Sequence, residues 1–281
     1  MSTARRRQHV PWKVAGRATE SHVDNDSVVR DTGWVFNNET GTALTLDEFV
    51  DSGEQEVGAY LQCFGFEAAD NAARTMVEIG AGIGRMTAGF TKRFAHVTAC
   101  DLDAAFLERC RETVAKFGVP EKLSTSHVAD GRTLALPDAS TDLVFSYITL
   151  QHCEPADALH LTTESLRVVR PGGWVALNFR TWVPGDALLF PAGVLTRLLW
   201  RVPRLGSWLA RQRWSARFGW QANRLTPGEV FRHLGSRGLV LAEPTLWVNG
   251  RGSGRGVEGV ALRTFEGIHP SHWWLIARRA N

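Results

Sequence analysis

Residues 76–87 read MVEIGAGIGRMT: an apolar run, an acid at Glu78, then glycines at 80, 82 and 84. The apolar lead-in predicts a buried strand over 75–80, and the segment after the glycines a helix over 85–95. A glycine loop between a strand and a helix brings backbone N–H groups and a helix N-terminus close to a ligand. The usual dinucleotide form, GxGxxG, would put its third glycine at 85, where this chain has Arg85. Glu78 is a poor neighbour for pyrophosphate and a good one for an ammonium group. The loop therefore suits a ligand with a cationic end.

Working outward, the chain alternates. A strand over 96–101 precedes a helix over 103–118 closed by Gly118; strands over 123–130 and 141–148 follow. A helix from about 156 to 169 stops at RPGG (170–173), where Pro171 cannot continue it, before a strand over 174–179. Such alternation implies a parallel sheet with helices on both faces. Upstream, 46–66 is a helical pattern that Gly53 is expected to break. Downstream, Thr226, Pro227 and Glu229 signal a capped helix over 225–239. Strands over 240–248 and 272–279 then flank a glycine-rich loop, 249–259, and as a hairpin would run one edge of the sheet antiparallel to the rest. The expected fold is α/β: a doubly wound, mostly parallel, seven-stranded Rossmann-like sheet with an antiparallel edge strand and a helical insertion.

With 281 residues and 44% hydrophobic content the chain can bury a sizeable core. Its apolar stretches are cut well short of the roughly 20 residues a spanning helix needs. The basic start, MSTARRRQHVPW, lacks the apolar core of a secretory signal, so a cytoplasmic protein is expected. The four cysteines show no CxxC or Cys/His ligand spacing, and are expected to be reduced thiols, two of them in the core. A net charge of +3 is too small to imply nucleic acid. The charge is uneven, however: residues 181–224 carry seven arginines against one acid, Asp186, and five of the eleven tryptophans.

Two further acids fall at predicted strand ends. Asp101 lies 21 residues after Gly80, where an acid in such folds accepts hydrogen bonds from ribose hydroxyls, and Asp130-Gly131 ends the third strand. Open parallel sheets bind ligands at that carboxyl edge. Together the acids describe one pocket for an amine, a ribose and a base.

The segment from about 75 to 180 resembles the class I S-adenosylmethionine-dependent methyltransferases with small-molecule acceptors (methyltransferase type 11). The resemblance rests on VEIGAGIGRMT, VTACDLD, VADGRTLALPDASTDLVFSYITLQH and LRVVRPGGWVAL. It implies S-adenosylmethionine as cofactor and S-adenosylhomocysteine as product. Glu78 would lie near the cofactor's amino acid end, with Gly80, Gly82 and Gly84 beneath it. Asp101, with Leu102 beside it, would hold the ribose; Asp130 would meet the adenine amine, and Gly131 would add a backbone contact. Tyr147 and Gln151 would touch cofactor or acceptor. His152, after the fourth strand, is the candidate general base for a hydroxyl acceptor. Its other reading is a histidine that caps or packs the next helix. His127, inside a predicted strand, is expected in the core; His269 and His272 reach the site only if their loop folds over it. Asp138 and Asp142 do not make a metal set, and none is expected.

The implied organisation is an N-terminal arm and helix (1–70) that covers the site, a cofactor-binding core (71–180), a Trp/Arg-rich helical insertion (181–224), and a last helix and strand pair completing the sheet (225–281). Residues 33–44 are either a second cover or a passive surface arm. The insertion has three readings: a lid with an apolar inner face, a helix pair that packs or dimerises, or a basic surface that touches membrane or anionic lipid. The expected activity is methyl transfer to a small apolar metabolite, with oxygen favoured as the methylated atom and a lipid, polyketide or aromatic acceptor. Transfer to N or C, and a non-catalytic cofactor-binding or scaffold module, stand as alternatives. Nucleic acid is not an expected partner.

Overall fold

The computed structural model describes Asp26, Val29 and residues 44–66, 68–202, 204–210, 212–219, 223–250 and 256–280. The proposed cover at 33–44 lies outside the described residues except for Leu44, as does most of the 1–70 arm before its helix. The described elements begin with α1 (Leu46–Phe64), a short α2 (Ala68–Asn71), β1 (Thr75–Ile79), α3 (Thr87–Thr91), β2 (His96–Asp101), α4 (Ala104–Phe117), β3 (Leu123–His127), β4 (Thr141–Ser146) and α5 (Pro155–Val168). They continue with β5 (Val169–Arg180), the inserted α6 (Asp186–Leu199), α7 (Leu205–Ala210) and α8 (Arg213–Gly219), then α9 (Pro227–Ser236), β6 (Leu241–Val248), β7 (Ala261–Thr264) and β8 (His272–Arg279).

All eight strands join one sheet in the order β3-β2-β1-β4-β5-β8-β6-β7. The contacts β1–β2, β1–β4, β2–β3 and β4–β5 are parallel, as the alternation requires. β4 is buried along its whole length, the mark of a central strand covered on both faces. The doubly wound, Rossmann-like layout agrees with expectation, and two details differ. The antiparallel strand, β8, inserts between β5 and β6 instead of lying at the margin. Its sequence HWWLIARR explains this: Trp273 and Trp274 are fully buried, so the strand belongs inside the sheet. The margin is taken by an eighth strand, β7, four exposed residues parallel to β6. So short an edge strand, carrying Arg263, offers little for further strand pairing.

Helix ends follow local chemistry. Thr45 and Glu48 form a reciprocal capping box on α1, and Thr226 and Glu229 do the same on α9, with Pro227 in its first turn. The expected break at Gly53 does not occur. A Cβ there would sit 2.3 Å from the Arg85 carbonyl oxygen, so Gly53 lets an unbroken α1 press against the glycine loop. Conversely, the helix expected over 85–95 shrinks to α3, whose Gly89 and β-branched Thr87 and Thr91 are weak helix formers. β5 starts five residues early, at Val169, and absorbs RPGG as an irregularity between the pairs Thr141–Val169 and Leu143–Trp174.

Candidate active site

The glycine loop leaves the carboxyl end of β1 and takes backbone conformations that side chains resist: φ is +82° at Gly80, +54° at Gly82 and +92° at Gly84. A Cβ on Gly80 would fall 2.0 Å from the Thr149 hydroxyl oxygen, and one on Gly84 3.1 Å from Cys110. Arg85, in place of a third glycine, turns away to pair with Glu56 of α1 at 2.6 Å. Glu78 lies buried beneath the loop, its Oε2 accepting the Thr87 hydroxyl at 2.7 Å. Burial pushes its carboxyl up to about 7, against the pull of the Thr87 hydrogen bond and the Arg85 charge.

Asp101 ends β2 facing the same loop. Its Oδ2 accepts the Gly82 N–H at 2.9 Å and its Oδ1 the Asp103 N–H at 3.0 Å. Desolvation raises its carboxyl to about 6 in spite of these bonds. Each oxygen has a further lone pair for a ligand hydroxyl. Asp130 accepts the Arg132 and Thr133 N–H groups on Oδ1. Partial burial works against its charge, but these bonds outweigh it and hold the carboxyl below its ordinary range. Gly131, at φ +71°, lies against Leu102, whose Cδ1 is 3.3 Å from where a Cβ would be. The structure thus brings Glu78, the three loop glycines, Asp101, Leu102, Asp130 and Gly131 to the carboxyl ends of β1 to β3. His127 is not in the core: it is exposed at the end of β3, and its Nε2 meets the Leu102 carbonyl at 3.0 Å.

Beyond β4 the chain is strained. Ile148 has φ +51°, an unfavourable conformation for a β-branched residue that costs about 1–3 kcal/mol. Its N–H donates to the buried Asn178 of β5, whose amide donates in turn to the Trp273 carbonyl. Tyr147 stacks on Trp274 with ring centres 5.5 Å apart and meets Tyr60 of α1 at 5.1 Å. Burial, with the Tyr147 hydroxyl alongside, drives the Tyr60 phenol well above its ordinary value. Gln151 and His152 occupy the one-turn 3₁₀ helix that follows, both buried, with Gln151 Nε2 3.3 Å from His152 Nε2.

Of the third part of the site, only His272 figured among the sequence candidates. Arg180 ends β5 opposite His272 of β8. It donates to the Ser271 hydroxyl at 2.6 Å and to Asp186 Oδ1 at 2.9 Å; Arg224 donates to the same Asp186 oxygen at 2.9 Å. Asp186, the lone acid of the insertion, is fully buried. Burial disfavours its charge, but Arg224, the Val183 N–H and Arg180 together hold its carboxyl below the usual range. His272 is pushed well below its ordinary value by burial first and then by His269, Arg180, His152 and Arg224, so its imidazole is neutral at pH 7. His272 reaches this edge by strand register, as the first residue of antiparallel β8 opposite the last of β5. Asn223 ties the Arg224 segment down by donating to the carbonyls of Leu150 and Cys153. The signal for this cluster in the sequence was a single acid among seven arginines.

The insertion forms its own small bundle, with α8 against α6. Trp200 is its centre, donating to the Ser215 hydroxyl at 3.0 Å and meeting bare backbone at Gly206 and Gly219. Its apolar face is not turned inward. Leu188 is 79% and Leu195 58% exposed, while Asp186, Gly193 and Thr196 are the buried residues of α6. Asp138 and Asp142 pair with Arg167 and Arg170. Among the described residues no three His, Cys, Asp or Glu side chains gather as a metal set, and no helix is long and apolar enough to cross a membrane.

Residues 77–177 match the family model described as a methyltransferase domain. Over 122 residues, 43% of this chain, the sequence is 31% identical to 41% of the 27-O-demethylrifamycin SV methyltransferase of Amycolatopsis mediterranei. Over 113 residues, 40% of this chain, it is 36% identical to 36% of the malonyl-[acyl-carrier protein] O-methyltransferase of Halorhodospira halophila. The chain spans well under half the length of these curated relatives. Among solved structures, the magnesium protoporphyrin IX methyltransferase of Synechocystis PCC 6803 with bound S-adenosylhomocysteine superposes with a TM-score of 0.52. That superposition covers 91% of this chain and 98% of the other at 15% identity, a likeness of fold.

Proposed function

We propose that the methyltransferase domain matched over residues 77–177 is a class I S-adenosylmethionine-dependent one and that the chain methylates an oxygen of a small metabolite. One observation carries the proposal: three acids and a glycine cradle share one sheet edge with a buried imidazole pair. The cradle fits the cofactor because Gly80, Gly82 and Gly84 hold positive φ and leave bare backbone at the strand end, with Thr149 packed where a Cβ on Gly80 would go. Glu78 is the partner for an ammonium group, Asp101 for the ribose hydroxyls, and Asp130 with Gly131 and Leu102 for the adenine. Two relatives named for O-methyl chemistry support oxygen as the methylated atom.

S-adenosylmethionine supplies a methyl on a sulfonium, which leaves as a neutral thioether when the acceptor oxygen attacks in line. The protein's share is alignment and exclusion of water. His152, with Gln151 beside it, takes the proton from an acceptor hydroxyl, and Tyr147 and the strained Ile148 backbone shape the wall where the acceptor approaches. α1, pressed on the glycine loop through Gly53, closes one side as the cover expected of the N-terminal region. The insertion borders the acceptor side through Asp186. Its outward leucines, with the exposed Arg201 and Arg204 beside them and no exposed acid in 181–224, suit peripheral contact with an anionic bilayer.

Calorimetric titration with S-adenosylmethionine and, separately, with NADH tests this function. Binding of the first alone is expected; binding of NADH, or of neither, would overturn it. With an acceptor in hand, His152→Ala should lower kcat while leaving cofactor affinity unchanged. A full rate in that variant would remove His152 as the base.

A further inference from the structure

Two guanidinium groups share one carboxylate in the interior. The Arg180 side chain is 10% exposed, that of Arg224 6% and that of Asp186 0%. Two positive charges against one negative leave a surplus of +1. The nearby Arg197 is a further cation and brings no counter-charge of its own; the acid that acts on it is Glu154. A buried unbalanced charge costs several kcal/mol unless a counter-charge meets it.

A separate observation comes from the hydrogen bonds. Among the described residues, five buried side-chain polar atoms without a hydrogen-bond partner gather here: Arg180 Nε, Arg224 Nε, Thr181 Oγ1, Gln151 Oε1 and Asn223 Oδ1. Native interiors rarely leave such groups unpaired, and a concentration at one place calls for a missing partner. The place is the carboxyl end of β4 and β5. Arg180 ends β5 opposite His272, Arg224 meets the same Asp186 oxygen as Arg180, and Asn223 bonds the carbonyls of Leu150 and Cys153 on either side of His152.

We infer that Arg180 and Arg224 anchor a carboxylate of the acceptor, which makes the acceptor a monoanionic carboxylic acid. Each arginine offers its Nε–H to the anion, and a planar carboxylate presents two oxygens to match. One surplus positive charge suits a monoanion better than a phosphate dianion. The amide oxygens of Gln151 and Asn223 accept from hydroxyl or amide groups elsewhere on the same molecule. The anchor holds the acceptor against His152, and so the inference rests on the methyl-transfer reading for its purpose but not for its existence.

The test uses the full chain in the presence of S-adenosylhomocysteine. Benzoate and octanoate are compared with benzamide and octanamide by calorimetry, in the wild type and in Arg224→Gln and Arg224→Lys. The carboxylates should bind at least ~10-fold tighter than the matched amides. Arg224→Gln should erase that preference and Arg224→Lys should keep part of it, with S-adenosylhomocysteine affinity unchanged in both as proof of an intact fold. Equal binding of acids and amides, a preference that survives Arg224→Gln, or tighter binding of a phosphonate dianion would overturn the inference. If S-adenosylhomocysteine binds without any carboxylate preference, the anchor fails and methyl transfer stands. If the carboxylate preference is present and lost in Arg224→Gln, but the protein does not bind S-adenosylhomocysteine, the anchor stands and methyl transfer fails.

Discussion

The two ends of the ligand edge are built to opposite plans. Over β1 to β3 the ligand-facing acids are held by backbone N–H groups, Asp101 by those of Gly82 and Asp103, Asp130 by those of Arg132 and Thr133. Over β4, β5 and β8 the corresponding groups are arginines and histidines brought from distant parts of the chain, with Asp186 and Arg224 separated by 38 positions. The first half is compact in sequence and suits a cationic ligand. The second is assembled by folding and suits an anionic one. A methyl donor that is a cation and an acceptor that is an anion would thus be sorted by charge before their reacting atoms meet.

The sharpest way to break this contrast is at the boundary between the halves, where Gly80 faces Thr149. Gly80→Ala adds a Cβ at φ +82° into the Thr149 side chain, and we expect S-adenosylmethionine affinity to fall by more than about 100-fold, with partial recovery in Gly80→Ala/Thr149→Gly. Normal affinity in the single variant would show that the cradle does not hold the cofactor. Asp101→Ala should weaken binding by roughly 10–100-fold through lost charge-assisted hydrogen bonds, without changing the carboxylate preference on the basic side. Loss of both together would mean that the halves are not independent.

A pH series sharpens the acidic side. The Glu78 carboxyl is raised from 4.5 to about 7 and that of Asp101 from 3.8 to about 6. Raised values mean that the folded, ligand-free chain holds protons the unfolded chain releases. These two groups therefore favour folding most below their unfolded values, and that contribution is lost as pH rises through about 6 to 7. Cofactor binding needs the charged forms and runs the other way: affinity should drop by about 10-fold from pH 8 to pH 6, with proton release on binding, and Glu78→Gln should flatten most of the trend. A flat profile in the wild type would remove Glu78 as the ammonium partner. The smallest effect concerns the insertion, where Leu188→Glu/Leu195→Glu should reduce co-sedimentation with anionic vesicles by roughly threefold. Unchanged sedimentation, or a shift from dimer to monomer in its place, would assign that face to self-association.

The acidic half was legible in the sequence because each part is local. A glycine needing positive φ, an acid ending a strand and a capping box are fixed by residues within a few positions of one another. The basic half was not, because its meaning depends on which strand ends are neighbours. Asp186 looks like a stray acid until β5, the insertion and the segment leading into α9 bring Arg180 and Arg224 to it. His272 looks remote until β8 slots in beside β5. Gly53 misled for a related reason: propensity alone weighs its cost in a helix, whereas the contact with Arg85 that requires it comes from 32 residues further on in the chain. The strain at Ile148 carries no sequence signal, since the Asn178 amide that stabilises it sits one strand away.

That contact between Gly53 and Arg85 also bears on how portable the cofactor module is. The segment by which the chain is recognised, 77–177, contains the glycine loop but not the helix that backs it, nor β8, which closes the sheet beside β5. Grafted onto another protein, that segment would carry the signature of the site without its mould, and a swap that respects the physics would take residues 44–66 and the last strand along with it.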